Sequence, residues 1–257
     1  MAKNTSATET EWILATASYS TKLSLINRSA IRAATSVNTT STATAAQQQQ
    51  SMDVSLAFIS IPALHEPLGF EAREHIRRQF LGSVVTFTPV FGGFCGHIER
   101  VGDEFDESLA IALLRAGLAT LKPESRRSDR EWYDAAEEEE AYAKKKHVGL
   151  HSHQLEMRSV DAVRSIVPFP TDREEVKVLG THLRHHTFRA SLERFLNPVS
   201  FEGLITPAMQ EFRFKLCGVS WYGNDDALFS LGKRAAQGLI LHRTVSLTIE
   251  EFDENSG

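Results

Sequence analysis

The sequence predicts an α+β protein built from two partial copies of one unit, and three observations lead there. Short β-rich runs alternate with amphipathic helical stretches from about residue 53 onward. The pattern of the first such stretch returns further along the chain at a constant offset. Before it stands a segment of different composition, dominated by Ser, Thr, Ala, Asn and Gln and ending in Gln47-Gln48-Gln49-Gln50.

That segment, residues 1–52, has too little apolar surface to offset its ordering entropy, so it is expected to be a disordered tail. Its cations, Lys3, Lys22, Arg28 and Arg32 against Glu9 and Glu11, leave an organelle transit peptide as the alternative. The elements then follow in order. Val54 to Ile61 is a β-rich run with Pro62 behind it. Phe70 to Leu81 sets Phe70, Ile76, Phe80 and Leu81 against Arg73, Glu74, Arg77 and Arg78, which predicts a helix closed by Gly82. Val84 to Val90 and Phe94 to Val101 read as strands across Gly92-Gly93. Glu107 to Ala116 is a helix stopped by Gly117. Residues 129–146 form a charged helix with acids leading and lysines trailing, as the helix dipole favours.

The recurrence appears at a shift of 160 residues, Leu56 onto Leu216, without gaps for about 30 positions. Ile59 meets Val219, Ile76 meets Ala236, Phe80 meets Ile240, Leu81 meets Leu241, Val85 meets Val245 and Phe87 meets Leu247.

Composition bounds the function. Of 257 residues, 42% are hydrophobic and 24% charged, as in an ordinary globular chain. The net charge is −5, so a nucleic-acid partner must be met by a local basic face. Two distant cysteines, Cys95 and Cys217, exclude a disulfide framework and are expected to be buried small hydrophobes. No apolar stretch approaches the roughly 20 residues of a membrane span.

Gly117 to Ser152 carries the most specific motif: a Gly-Leu-Ala strand, a long Glu/Ala/Lys helix with Tyr133, Asp134, Ala135 and Ala136, and the ending Gly149-Leu150-His151-Ser152. This run resembles the end of a staphylococcal nuclease domain of the multi-repeat Tudor-SN family. FEAREHIRR is similar to part of that family's third repeat, and residues 189–219 to the opening strands of its fourth. The resemblance runs from about Val54 to the C-terminus. It implies OB-fold-like β-barrels with packed helices. The expected organisation is a tail over 1–52, a nuclease-like domain over 53–153 lacking its first strands, a linker over 154–186, and a second, incomplete nuclease-like domain over 187–257. A hairpin expected before Val54 is replaced by the polar tail, and a fragment or truncated gene model is one reading of the chain.

The resemblance also says where chemistry would sit. Hydrolysis of the thermonuclease type needs Ca²⁺ on carboxylates, an acid to position water, and two arginines on the phosphate. In the first unit the arginine late on the third strand becomes Ser55. The acid beyond Pro62 becomes Ala63, and the second arginine becomes His97. In the second unit the matching positions are Lys215 and Gly223, with Arg213 two residues away on the same strand face. Lysine cannot reproduce a bidentate arginine clamp. The expectation is therefore no cofactor, with Ca²⁺ required only if a Ca²⁺-dependent RNA endonuclease, the alternative reading, survives.

Binding is the expected function: a scaffold that holds RNA with little sequence preference, alongside ribonucleoprotein or silencing-complex proteins, in the cytoplasm or also the nucleus. Candidate RNA-binding residues are Arg73, Arg77, Arg78, Arg126, Arg127, Arg130 with Trp132, and Lys144, Lys145 and Lys146. In the second unit they are Arg213, Lys215, Lys233, Arg234 and Arg243. Two histidine clusters, His147/His151/His153 and His182/His185/His186, lack the Cys or spaced carboxylates that would complete a metal site and are expected to be solvated. Asp225-Asp226 fits a helix N-cap, and Glu137 to Glu140 a solvated helix face.

Overall fold

The computed structural model describes residues 12–19, 22–27, 51–102, 107–123, 129–153, 166–170, 172–220, 229, 231–232, 235–236 and 239–252. The chain is mixed α+β and divides into two units, residues 1–164 and 165–257.

In the first unit β1 (Trp12–Tyr19), β2 (Lys22–Asn27) and β3 (Ser51–Leu56) pair antiparallel in sequence order. β4 (Ile59–Ser60) and helix α1 (Gly69–Phe80) follow, then the hairpin β5 (Val84–Phe91) and β6 (Cys95–Arg100). β7 (Glu107–Ser108), α2 (Leu109–Arg115), β8 (Thr120–Leu121) and α3 (Arg130–Lys146) complete it. The sheet order is β3-β2-β1-β5-β6-β7. β3 additionally pairs in parallel with β6, Ser55 beside Cys95.

Two expectations are corrected here. Trp12–Tyr19 and Lys22–Asn27 lie in the segment expected to be a tail, yet they form strands, and Leu14, Leu23 and Leu25 are buried in the core. The hairpin expected to be missing before Val54 is present; three leucines suffice, because each sits on a face that the rest of the unit covers. The remainder of residues 1–50 lies outside the described residues.

Local chemistry explains the helices. α1 lines up Ala72, Ile76 and Phe80 four residues apart on one buried stripe. α3 begins where the Asp129 side chain accepts the Trp132 N–H at 3.1 Å. It ends at His147 in left-handed conformation behind three lysines. The Gly-Leu-Ala and Gly-Leu-His runs that mark the motif touch each other: the Leu150 N–H donates to the Gly117 carbonyl at 2.7 Å. Gly117 and Gly149 both have positive φ, and a Cβ on Gly117 would overlap the Val148 carbonyl, one on Gly149 the Gly117 carbonyl.

The second unit holds α4 (Arg173–Leu183), β9 (Thr187–Asn197), β10 (Ser200–Thr206), β11 (Gln210–Lys215) and β12 (Thr244–Thr248), in sheet order β11-β10-β9-β12. Residues 229, 231–232, 235–236 and 239–240 between β11 and β12 are helical. α4 lies inside the stretch expected to be a linker and corrects it. Asp172 caps its N-terminus, and Leu179 and Leu183 pack with Ala190, Ile205 and Phe212. A second cluster gathers Leu192, Phe195 and Phe201.

The repeat is visible in single hydrogen bonds. In the first unit Leu14 N donates to Ser83 O, Gly82 N to Leu14 O, and Ser83 N to Phe80 O. In the second, Leu192 N donates to Arg243 O, His242 N to Leu192 O, and Arg243 N to Ile240 O. Phe80, Gly82 and Ser83 map onto Ile240, His242 and Arg243 at the same 160-residue shift, and Gly82 and His242 both have positive φ. β3 to β5 thus recur as β11 to β12, and the orders β3-β2-β1-β5 and β11-β10-β9-β12 match.

Candidate nucleic-acid interface

The parallel pairing of β3 and β6 brings two of the three first-unit positions to one place. Ser55 N donates to Phe94 O at 2.8 Å and Ala57 N to Gly96 O at 2.9 Å, which sets Ser55 beside the start of the Cys95-Gly96-His97 run. Gly96 is required there, because a Cβ would overlap the Thr88 carbonyl oxygen. Ala63 is half-buried in the turn before α1, and its N–H donates to Glu66 Oε2 at 2.6 Å. The one carboxylate in that turn is therefore engaged in closing it.

His97 points into aromatic packing. Its ring centroid lies 4.9 Å from Trp132 and 5.5 Å from Phe58, and Phe58 meets Trp132 at 5.4 Å and Phe91 edge-on at 5.5 Å. The His97 side chain is 9% exposed, with Nε2 4.0 Å from Asp129 Oδ2. Burial pushes its pKa below the usual histidine value, against the opposing pull of Asp129 and Glu99, so the ring is neutral at pH 7. A neutral imidazole cannot stand in for a phosphate-clamping arginine. Phe91 and Phe94 flank the Gly92-Gly93 turn and are 49% and 65% exposed. Lys122 joins this surface through its N–H to Phe58 O at 2.8 Å. Sequence reasoning found Trp132 but not Phe58, Phe91 or Lys122: the β4–β8 pairing brings Lys122 to Phe58 across 64 residues, and Phe91 reaches Phe58 from β5 through ring contact.

A Ca²⁺ ion does not fit this donor set. Ser55, Ala63 and His97 offer a hydroxyl, a methyl and a neutral imidazole where the ion and phosphate need carboxylates and guanidinia. Among the described residues no group of three His, Cys, Asp or Glu side chains gathers around one point.

The basic residues divide sharply. Arg73 and Arg77 are buried at 1% and 5% exposure, which corrects the expectation of an RNA-facing row on α1. Their stems flank the Ala72-Ile76-Phe80 stripe, both guanidinia reach Glu74, at 3.3 and 3.1 Å, and Arg73 lies over the Phe70 ring. Arg78 alone of that row is exposed. On α3, Arg130 is exposed and pairs loosely with Asp134 at 3.8 Å, while Lys145 and Lys146 project into solvent. Lys144 is held by Glu140 at 2.6 Å.

Glu140 itself corrects the expectation of a solvated acidic face. It is buried and accepts the Leu121 N–H at 3.0 Å. Burial pushes its pKa up, but the Lys144 ammonium and the Leu121 N–H outweigh it and hold the carboxyl below its usual value. Glu139, one residue away, binds Arg115 of α2 through two hydrogen bonds at 2.9 and 2.6 Å.

In the second unit Arg213 and Arg194 both bind Glu202, at 3.1 and 2.6 Å, from the two strands beside β10. Arg213 is thereby engaged within the sheet, while Lys215 and Arg243 are exposed. Arg126, Arg127, Gly223, Lys233, Arg234 and the Asp225-Asp226 pair lie outside the described residues. His147 and His153 rings lie 4.4 Å apart, and His182 stacks with His186 at 6.5 Å. Cys95 is half-buried and Cys217 exposed, so neither is the buried hydrophobe expected.

Among the described residues no helix is long and apolar enough to cross a membrane. Comparison with protein-family models and with curated proteins finds no match to this chain.

Proposed function

We infer that this chain binds RNA without cleaving it, as a scaffold of the Tudor-SN kind working in gene silencing beside ribonucleoprotein partners. The first unit is read as an OB-type barrel of staphylococcal-nuclease ancestry. What supports this is the pairing of β1, β2, β3, β6 and β5, each with the next, with β5 returning to β1 and β3 parallel to β6. The second unit is read as the same barrel's first four strands.

The observation that carries the binding reading is the surface around His97. Barrels of this type hold single strands by stacking bases on aromatic rings beside a basic groove. Here Phe58, Phe91 and Trp132 cluster about His97, Phe91 and Phe94 are exposed at the Gly92-Gly93 turn, Arg130 lies on α3 with Trp132, and Lys122 bonds through its backbone N–H to Phe58. Acid and arginine are both missing from Ser55, Ala63 and His97.

The test is binding of the whole chain to unstructured single-stranded RNA across a salt series. Affinity should fall with rising salt. Reversing Arg130, Lys145 and Lys146 to Glu together should lower it about tenfold or more at low salt. All three side chains are exposed, and an unchanged thermal midpoint checks that Glu in the last turn of α3 has not unfolded the unit. Unchanged affinity would sink the reading. Products that appear with Ca²⁺ and vanish on chelation would establish the endonuclease in its place.

A further inference from the structure

We propose that His147 and His153, just past the end of α3, form a two-imidazole site for a divalent transition-metal ion of the nickel and copper class. Both side chains are exposed, and their ring centres lie 4.4 Å apart at a tilt of 38°. Among the described residues neither ring has a hydrogen-bond or ion-pair partner, which leaves its nitrogens to a ligand. The backbone holds the pair from both sides. His147 closes α3 in left-handed conformation, and Val148 N donates to Ala143 O at 3.2 Å. In the turn Gly149–His151 that follows, Leu150 N donates to Gly117 O at 2.7 Å and Ser152 N to Gly149 O at 3.1 Å. With the chain between the two rings already fixed, little ordering entropy remains to oppose chelation.

The spacing selects the ion. Metal–nitrogen bonds of about 2.1 Å put an ion about 3.2 Å from the centre of each ring that binds it. Centres 4.4 Å apart then subtend an angle of about 90° at the ion. A tetrahedral ion would set the centres about 5.2 Å apart. Nitrogen donors at a right angle suit tetragonal Cu²⁺ and Ni²⁺, which keep water on their remaining positions. A structural zinc instead asks for four protein ligands. The donor count agrees, since among the described residues no group of three His, Cys, Asp or Glu side chains gathers around one point.

The charges nearby permit a cation. Three lysines precede His147, but Lys144 is paired with Glu140 at 2.6 Å, and Lys146 lies 5.9 Å from the centre of the Tyr142 ring. The open carbonyls at the C-terminal end of α3 carry partial negative charge, which favours a cation there. A bound ion ties the end of α3 to the turn that holds Gly117, and so stabilises the first unit. His182 and His186 provide the comparison. Their centres are 6.5 Å apart, too far for donors at a right angle, and His186 Nδ1 lies 3.0 Å from Arg184 O.

The probe is Ni²⁺ alone, added to the whole chain carrying no histidine tag. Binding should saturate at one ion per chain, and the paramagnetic ion should broaden the NMR signals of His147 to His153 first. The urea midpoint of the first unit should rise while that of the second stays in place. His147→Asn, which tolerates the left-handed backbone, and His153→Ala should each weaken binding about tenfold or more, with the metal-free midpoint unchanged. His182→Ala should leave affinity as it is, and Zn²⁺ should bind more weakly than Ni²⁺. No binding, or affinity unchanged in both variants of the pair, would overturn the proposal. So would broadening centred on His182 and His186, or zinc bound as tightly as nickel.

Discussion

Val85 and Val245 occupy one position in two copies of the same plan, yet Val85 is sealed from solvent and Val245 is half exposed. Both sit on the strand after the helix, and both follow the same three backbone hydrogen bonds. The difference lies in what covers them. In the first unit β6 brings Ile98, fully buried, and α2 brings Leu109, Leu113 and Leu114 over the same core. The burial of a residue is set by what packs over its strand as much as by its own hydrophobicity.

The largest expected effect tests the contact between the two glycine runs of the first unit. Gly149→Ala places a Cβ against the Gly117 carbonyl at a positive φ, and it should cost the first unit about 3 kcal/mol. Urea unfolding followed at Trp132 reads this, and signals from the second unit should not move. A loss below about 1 kcal/mol would mean that the contact between the two glycine runs does not hold the first unit together.

A paired truncation sharpens the comparison. Val85→Ala should destabilise its unit by about 2 kcal/mol, and Val245→Ala by less than about 1 kcal/mol, because only the first leaves a cavity. Equal losses would contradict the difference in burial.

A smaller effect separates the units by pH. Glu140 has a lowered pKa in the folded state, so its contribution is present above the unfolded carboxylate pKa and is lost as pH falls through the folded one. Glu140→Gln should cost the first unit about 1–2 kcal/mol at pH 7 and progressively less below about pH 4. Stability curves of the two proteins should therefore converge in acid; curves that stay parallel would remove Glu140 from that role.

Much of this was legible in the sequence where a period or a repeat carried the information. α1 and α3 fall within one residue of the stretches expected, and the 160-residue shift located both copies of the helix-to-strand turn. What escaped was burial decided at a distance. Arg73 and Arg77 look like a polar face along α1, but Glu74 and the Phe70 ring let their guanidinia go under. Glu140 sits in a run of four acids, and only the Leu121 N–H from β8 singles it out. β1 and β2 were hidden by a Ser- and Thr-rich composition, since three buried leucines do not alter the average over fifty residues. For the candidate site, Trp132 and Arg130 were visible near one another, whereas Phe58, Phe91 and Lys122 were not, because the fold alone gathers them.

The most direct measurement of the difference between the units is the amide exchange rate at one repeated position, Thr86 and Ser246, in the chain by itself. Thr86 pairs with Glu99 of β6, and Ser246 faces outward from β12. The account predicts strong protection at Thr86 and near-solvent exchange at Ser246, with Val245, which faces β9, protected as the internal control. Equal protection at Thr86 and Ser246 would mean that β12 is paired on both sides, and the contrast drawn between the two units would be wrong.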